Sequence, residues 1–237
     1  MPVMVKALIF DVFGTVVDWR GGVAREVSAI FADRGVALDP AAFADAWRGR
    51  YDPAMAAIRE GRRGYQPLDL LHRENLDATL AEFGLSDLLT EDQRAGLNRA
   101  WEKLPPWPDA CPGLMALKTR YIVAPCSNGS IALMTRLAKY GGLPWDAILG
   151  ADIAQAYKPD PKVYLAAAAA LALDPEEVMM VAAHNSDLAA ARAQGLKTAF
   201  LPRPLEHGPG QTRDLEPADA WDVVARDLED LAATLTA

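Results

Sequence analysis

Cysteine is nearly absent from the chain: Cys111 and Cys126 are the only two in 237 residues. Two thiols at that separation make neither a disulfide framework nor a metal-ligand spacing, so both read as free thiols in a reducing compartment. Positive charge is also scarce, with 24 Lys and Arg against 32 Asp and Glu and a formal net charge of −8. Such a chain is a poor partner for nucleic acid or an anionic membrane, although a local group of arginines can still receive a small anion. Long apolar runs are missing too. The most apolar window, VYLAAAAALAL at 163–173, is too short to span a bilayer and fits a packed helix. Little chain precedes Asp11, too little for a signal peptide, so a cytoplasmic enzyme is the expectation. The remaining composition, 51% hydrophobic and 24% charged, is ordinary for a globular protein. It suits one α/β domain with an insertion, or two modest domains.

Four short apolar runs stand out: VKALIF at 5–10, RYIVAPCSN at 120–128, EVMMVAAHN at 177–185 and KTAFLPR at 197–203. Helical stretches separate the last three, at 130–140, 162–172 and 187–194, the last with Gly195 as its C-cap. Buried parallel strands of an open sheet read this way, and the fold class is α/β: a doubly wound, Rossmann-like parallel sheet. Residues 18–99 break the rhythm with several helical windows and no strand. They are expected to form an inserted helical cap, with 1–17 and 100–237 as the catalytic core. The Pro-rich segment LPPWPDACPG at 104–113 marks the return to that core.

In an open parallel sheet, reactive groups gather past the carboxyl ends of the strands. The residues there are Asp11 and Thr15, then Ser127 and Asn128, then Lys158 and Tyr164 of YKPDPKVY, then His184, Asn185 and Asp187. Plainer readings stand beside each. Asp11 serves as a turn former, though an acid closing an apolar strand is costly without a purpose. Lys158 is an ordinary surface lysine, although the prolines of YKPDP that follow it suggest a fixed loop that aims it. Ser127 and Asn128 form a local turn before the helix at 130. Asp187 caps the following helix, and His184 is a satisfied buried histidine. Four loops that all carry such groups are harder to explain as packing.

Together these residues resemble the haloacid dehalogenase superfamily. DVFGT (11–15), CSNGS (126–130), YKPDPKVY (157–164) and VAAHNSD (181–187) are similar to its four motifs, in order, over nearly the whole chain. Most members are Mg²⁺-dependent phosphatases whose first motif carries a second acid, the proton donor to the leaving alcohol. That position is Phe13 here, and a metal-binding acid of the fourth motif is replaced by Ala183. Mg²⁺ prefers carboxylate oxygens, so metal-dependent phosphoryl transfer is poorly supported and no metal or other cofactor is expected. A nucleophile without that acid suits a leaving group that needs no proton, and FDVFGTVVD with SNGS resembles the L-2-haloacid dehalogenases.

The resemblance implies that Asp11 displaces halide from a small anionic 2-haloacid, forming an ester with inversion, and that water then releases the 2-hydroxy acid. Lys158 offsets the two carboxylates, and Thr15 holds Asp11. Ser127 and backbone N–H groups near Ser130 receive the substrate carboxylate, and Asp187 orients or activates water. Asn128 and a cap arginine receive halide; AFADAWRGRYD (42–52) nominates Arg48, with Arg50 as the fallback. Phe13, Trp19, Trp47 and Tyr65 are pocket-wall aromatics or core, and Tyr164 and Asn185 complete the substrate-binding set. Homodimers are common in the family.

The fourth motif departs from its best-known members: an asparagine becomes His184 and a tryptophan becomes Ser186. His184 takes over water or halide contacts, or protonates a more basic leaving group such as fluoride. Two enzymatic alternatives follow, defluorination of fluoroacetate and opening of a small cyclic amino acid. A non-catalytic binding protein is a third, disfavoured by the intact set Asp11, Lys158 and Asp187.

Overall fold

Residues 4–237 are described by a computed structural model. Its centre is a five-stranded parallel sheet of β1 (Ala7–Phe10), β2 (Ile122–Pro125), β3 (Val178–Ala182), β4 (Lys197–Phe200) and β5 (Val223–Val224), in the order β2-β1-β3-β4-β5. The first four lie inside the apolar runs of the sequence. Every residue of β1 and β3 is buried, as expected for strands covered by helices on both faces. Alternate side chains of β1 serve different layers. Leu8 and Phe10 join a core with α6 (Ala110–Leu117), α7 (Ile131–Gly141) and α10 (Leu228–Thr236). Ala7 and Ile9 join another with α8 (Pro161–Ala170) and α9 (Asn185–Arg192). The sheet is therefore wound on both faces.

Between β1 and α6, regular structure is entirely helical: α1 (Trp19–Phe31), α2 (Pro40–Gly49), α3 (Tyr51–Arg59), α4 (Leu68–Glu82) and α5 (Glu91–Asn98), with short 3₁₀ turns. Local capping starts several of these helices. Asp18 accepts from Gly21 N, Asp39 from Ala41 and Ala42 N, and Thr90 from Gln93 N. Phe43, Trp47, Leu71 and Leu76 from this region share one core with Leu8, Phe10 and Phe13. The helical region thus lies on the sheet through a common apolar interior.

β1 has β2 on one side and β3 on the other. The chain order reverses at its carboxyl end, which opens a crevice there, and Asp11 is the first residue past that end. Three elements lay outside the sequence reading, α6, β5 and α10. One cap also differs: α9 ends at Arg192 with Ala193 as its cap, and Gly195 follows with φ +87°.

The loop after β1 is held from behind by a charge pair. Arg203, past β4, donates from Nε to Thr15 O at 2.9 Å and from both Nη atoms to Asp109 at 2.7 Å. Asp109 also accepts Leu228 N at 2.8 Å, joining α10 to the same anchor. Burial disfavours the Asp109 charge, but these donors outweigh it and lower its pKa. Asp109→Ala would leave the buried guanidinium unpaired, and stability should fall by about 3–5 kcal/mol. Urea unfolding checks this; a loss near that of an exposed pair would show that the anchor is not needed.

Candidate active site

Asp11 is only 7% exposed, and each of its oxygens is held. Oδ1 accepts Lys158 Nζ at 2.8 Å; Oδ2 accepts Thr15 Oγ1 at 2.7 Å and lies 3.1 Å from His184 Nδ1. Thr15 is itself fixed, because its hydroxyl accepts Ala183 N at 2.9 Å. Ala183 thus supports Asp11 through its backbone N–H, by way of Thr15. Lys158 Nζ also reaches Asp187 Oδ2 at 2.5 Å, so an ammonium group fills the space between two carboxylates. Asp187 Oδ1 accepts Tyr164 OH at 2.6 Å.

The charges sustain one another. Burial alone would push the Asp11 carboxyl up, but Lys158 and His184 overcome it and hold the group well below the usual carboxylate range. Burial would likewise discharge Lys158, yet Asp11 and Asp187 raise its pKa well above the ordinary lysine value. The Tyr164 phenol is pushed up by burial and by Asp187 beside it. His184 is opposed by burial too, but its bonds to Asp11 and Glu206 bring its pKa up to about 10. The imidazole is therefore a cation at neutral pH.

Glu206 had no signal in the sequence: it lies in an irregular loop, far along the chain from what it touches. It is 2% exposed, meets His184 Nε2 at 2.8 Å through Oε2, and accepts Trp19 Nε1 at 3.0 Å through Oε1. Burial disfavours its charge, but His184 more than compensates and lowers its pKa.

Asp11 opens on a cavity of about 700 Å³. Lys158, Asn128, Tyr164, His184 and Asp187 line it from the sheet side, and Arg48, Tyr51 and Met55 from the helical region. Asn128 Oδ1 accepts Lys158 N at 2.8 Å, which leaves its amide NH₂ for a ligand. Arg48 lies with its guanidinium carbon 3.8 Å from the Tyr51 ring centroid, 5.3 Å from that of Trp19 and 5.7 Å from that of Phe13. Its Nη1 is buried and has no hydrogen-bond partner. Arg50 instead pairs with Glu82 at 2.6 Å and is not part of the cavity wall. Behind this box His72 stacks on Trp101 at 4.2 Å, and burial with Arg48 nearby keeps its pKa well below the ordinary histidine value.

Several expected residues are placed elsewhere. Ser127 Oγ accepts Gly129 N at 3.1 Å and does not reach the cavity wall. The start of α7 is also engaged: Ile131 N donates to Asp152, and Ser130 Oγ accepts Leu133 N and donates to Asp69. Asn185 uses its whole amide on Asp214, Glu216 O, Ala218 N and Trp221 Nε1, which pins the C-terminal loop. Asp187 is not a cap. α9 starts two residues earlier, and the Asp187 carboxylate turns back to Lys158 and Tyr164 while lining the cavity. Phe13 and Trp19 line the cavity, whereas Trp47 donates to His72 O and Tyr65 to Asp152, both away from it. Arg213, His207 and Asp214, unmarked by any motif, close one side.

The raised His184 pKa has a definite sign. Its stabilisation is complete below the ordinary value of 6.5 and is lost as pH rises through about 10. Nitrogen chemical shifts of the imidazole should therefore report a protonated ring at pH 8, with a lower pKa in Glu206→Gln. A wild-type ring titrating near 6.5 would show that the two carboxylates do not hold the proton.

Comparison with known proteins agrees with this geometry. A haloacid dehalogenase-like hydrolase family profile matches residues 5–195. (S)-2-haloacid dehalogenase 4A of Burkholderia cepacia is 29% identical over 94% of this chain and 96% of its own length. The solved structure of a defluorinating L-2-haloacid dehalogenase superposes with a TM-score of 0.97 at 52% identity, covering 98% of this chain and 96% of that one. The L-2-haloacid dehalogenase of Xanthobacter autotrophicus, solved with chloropropionic acid covalently bound, has a TM-score of 0.81 at 26% identity, covering 98% and 99%. By the family profile that spans most of its length and by these relatives, this protein belongs to the haloacid dehalogenase-like hydrolases, within their L-2-haloacid dehalogenase family.

Proposed function

We propose that the protein hydrolyses short 2-haloalkanoates to 2-hydroxyalkanoates through an ester on Asp11, with inversion at carbon and without a metal. The observation that carries this reading is a buried, ionised Asp11 facing a cavity where Arg48 Nη1 has no partner. A nucleophile on one wall and an unpaired cation on the other suit a displacement whose leaving group departs as an anion. Phe13, where a general acid would stand in a phosphatase, offers no proton.

Charge decides whether substrate can approach. Two unit negative charges 4 Å apart repel by about 4 kcal/mol at an effective dielectric of 20. Lys158 and the protonated His184 both touch Asp11 and offset that repulsion for the substrate's own carboxylate. Thr15 sets the carboxylate's rotation, and Asp187 with Tyr164 fixes Lys158. Departing halide is received by Arg48 and the Asn128 amide, with Phe13, Trp19 and Tyr51 as apolar walls. The covalently bound chloropropionic acid in the Xanthobacter relative supports a covalent intermediate. The defluorinating relative, at 52% identity, supports including a fluorinated acid among the substrates.

Halide release should be measured with EDTA present, on chloroacetate, fluoroacetate and both enantiomers of 2-chloropropionate, with a phosphate ester as control. Halide without phosphate is the expected result; phosphate release, or halide release abolished by EDTA, would overturn the metal-free reading. Asp11→Asn should abolish turnover in the same assay. Arg48→Gln removes a donor aimed at developing negative charge, and kcat should fall about 100-fold or more. An unchanged kcat would move the halide site elsewhere.

A further inference from the structure

We propose that Arg213, on the outer wall of the cavity, supplies the charge that draws in and retains the carboxylate of an incoming 2-haloacid. The proposal rests on the dehalogenase reading above. The substrate is an anion and the protein carries a formal net charge of −8, so the overall field opposes its approach. Lys158 and His184 already have Asp11 against them. An anion arriving from solvent therefore needs an uncompensated cation further out. Arg213 is exposed and lines the cavity.

Unlike a loosely tethered surface arginine, Arg213 is held in place. Gln211 spans its loop: Oε1 accepts His207 N at 3.0 Å, and Nε2 donates to Arg213 O at 3.0 Å. On the other side Asp214, with φ +55°, accepts Asn185 N at 3.0 Å and Asn185 Nδ2 at 2.8 Å, which ties the loop to the start of α9. The guanidinium is aimed as well, since Nη2 donates to His207 Nε2 at 3.0 Å. Burial keeps the His207 pKa below the ordinary histidine value, so the ring is neutral at pH 7 and accepts that bond. The same ring packs edge-on against Trp19, a residue of the cavity wall, with centroids 5.7 Å apart.

Among the described residues Arg213 has no carboxylate partner, and its guanidinium meets only the neutral His207 ring. The acids that the helical region brings to the same wall are compensated instead. Asp45 pairs with Arg20 and Asp52 with Arg59, each at 2.7 Å. Arg48, the other guanidinium on the cavity without a carboxylate, is packed among the rings of Tyr51, Trp19 and Phe13, with Nη1 buried. The two arginines therefore differ in depth. Arg213 meets the acid where water still competes, through charge-assisted N–H bonds to its carboxylate. So exposed a contact holds an anion weakly and lets it pass inward. The charge continues to act on the acid once it is inside, because the walls of a cleft focus the field of the cations that line it.

The test is steady-state lactate formation from (S)-2-chloropropionate by wild type, Arg213→Gln, Arg213→Lys and Arg213→Glu, with ionic strength varied by sodium sulfate. At low ionic strength Arg213→Gln should lower kcat/KM about 3- to 5-fold and Arg213→Glu about 10-fold or more, with the change carried by KM rather than kcat. Arg213→Lys should keep most of the wild-type value. Added salt should lower kcat/KM in wild type and much less in Arg213→Gln. A merely structural role in the loop would move kcat and would not follow the sign of the side chain. Equal kcat/KM in wild type and Arg213→Glu, or a fall confined to kcat, would overturn the proposal while the dehalogenase reading stands. Wild type forming no hydroxy acid from any haloacid would instead overturn that reading, and the proposal with it.

Discussion

Everything at this site depends on keeping five ionisable groups charged in a place that disfavours charge. Asp11, Lys158, Asp187 and Glu206 are each less than a tenth exposed, and His184 bridges two of them. Removing any one from water costs several kcal/mol, and only close partners of opposite sign offset that cost. On one side of Asp11 stand the Lys158 ammonium and the Asp187 carboxylate, and on the other the His184 imidazolium and the Glu206 carboxylate. Three negative and two positive charges result, and Arg48 across the cavity supplies the third positive one. The backbone around the site can be read as the means of holding that alternation: Thr15 between Asp11 and Ala183, Arg203 behind Thr15, Asn128 on the Lys158 backbone.

The frame of this arrangement was legible in the sequence because the physics that makes it is local. A four-residue apolar run ending in a polar residue is a buried strand delivering a side chain to a loop, and this pattern located Asp11, Asn128 and His184. Lys158 was marked by the prolines of its loop, whereas Arg48 came from motif resemblance, since nothing in its immediate neighbours distinguishes it from a surface cation. β5, at two residues, is too short to carry a periodicity, whereas α10 has a readable signal in Asp227 before an amphipathic run.

What could not be read locally are contacts made by approach in space. Glu206 meets Trp19 across 187 residues of chain, from a loop with no regular pattern. The same limit explains the residues that moved away from expectation. Ser127 and Asn185 occur at the right chain positions, but the Ser127 hydroxyl turns to Gly129 N and the Asn185 amide is used on the C-terminal loop. Motif position says which residues arrive at a strand end; only tertiary geometry says which of them still has a free donor.

The departures from the phosphatase pattern form one linked set. Phe13 puts an apolar ring on the cavity wall where those enzymes carry an acid. At Ala183 it is the backbone N–H that serves the site, by holding Thr15 Oγ1, while the Lys158 ammonium bridges Asp11 and Asp187. Both positions leave Asp11 with fewer carboxylates around it. Those that remain nearby each have a cation against them: Lys158 lies between Asp11 and Asp187, and His184 between Asp11 and Glu206. A cavity that opens on a carboxylate so compensated can admit a second carboxylate, which an uncompensated pair of acids would repel.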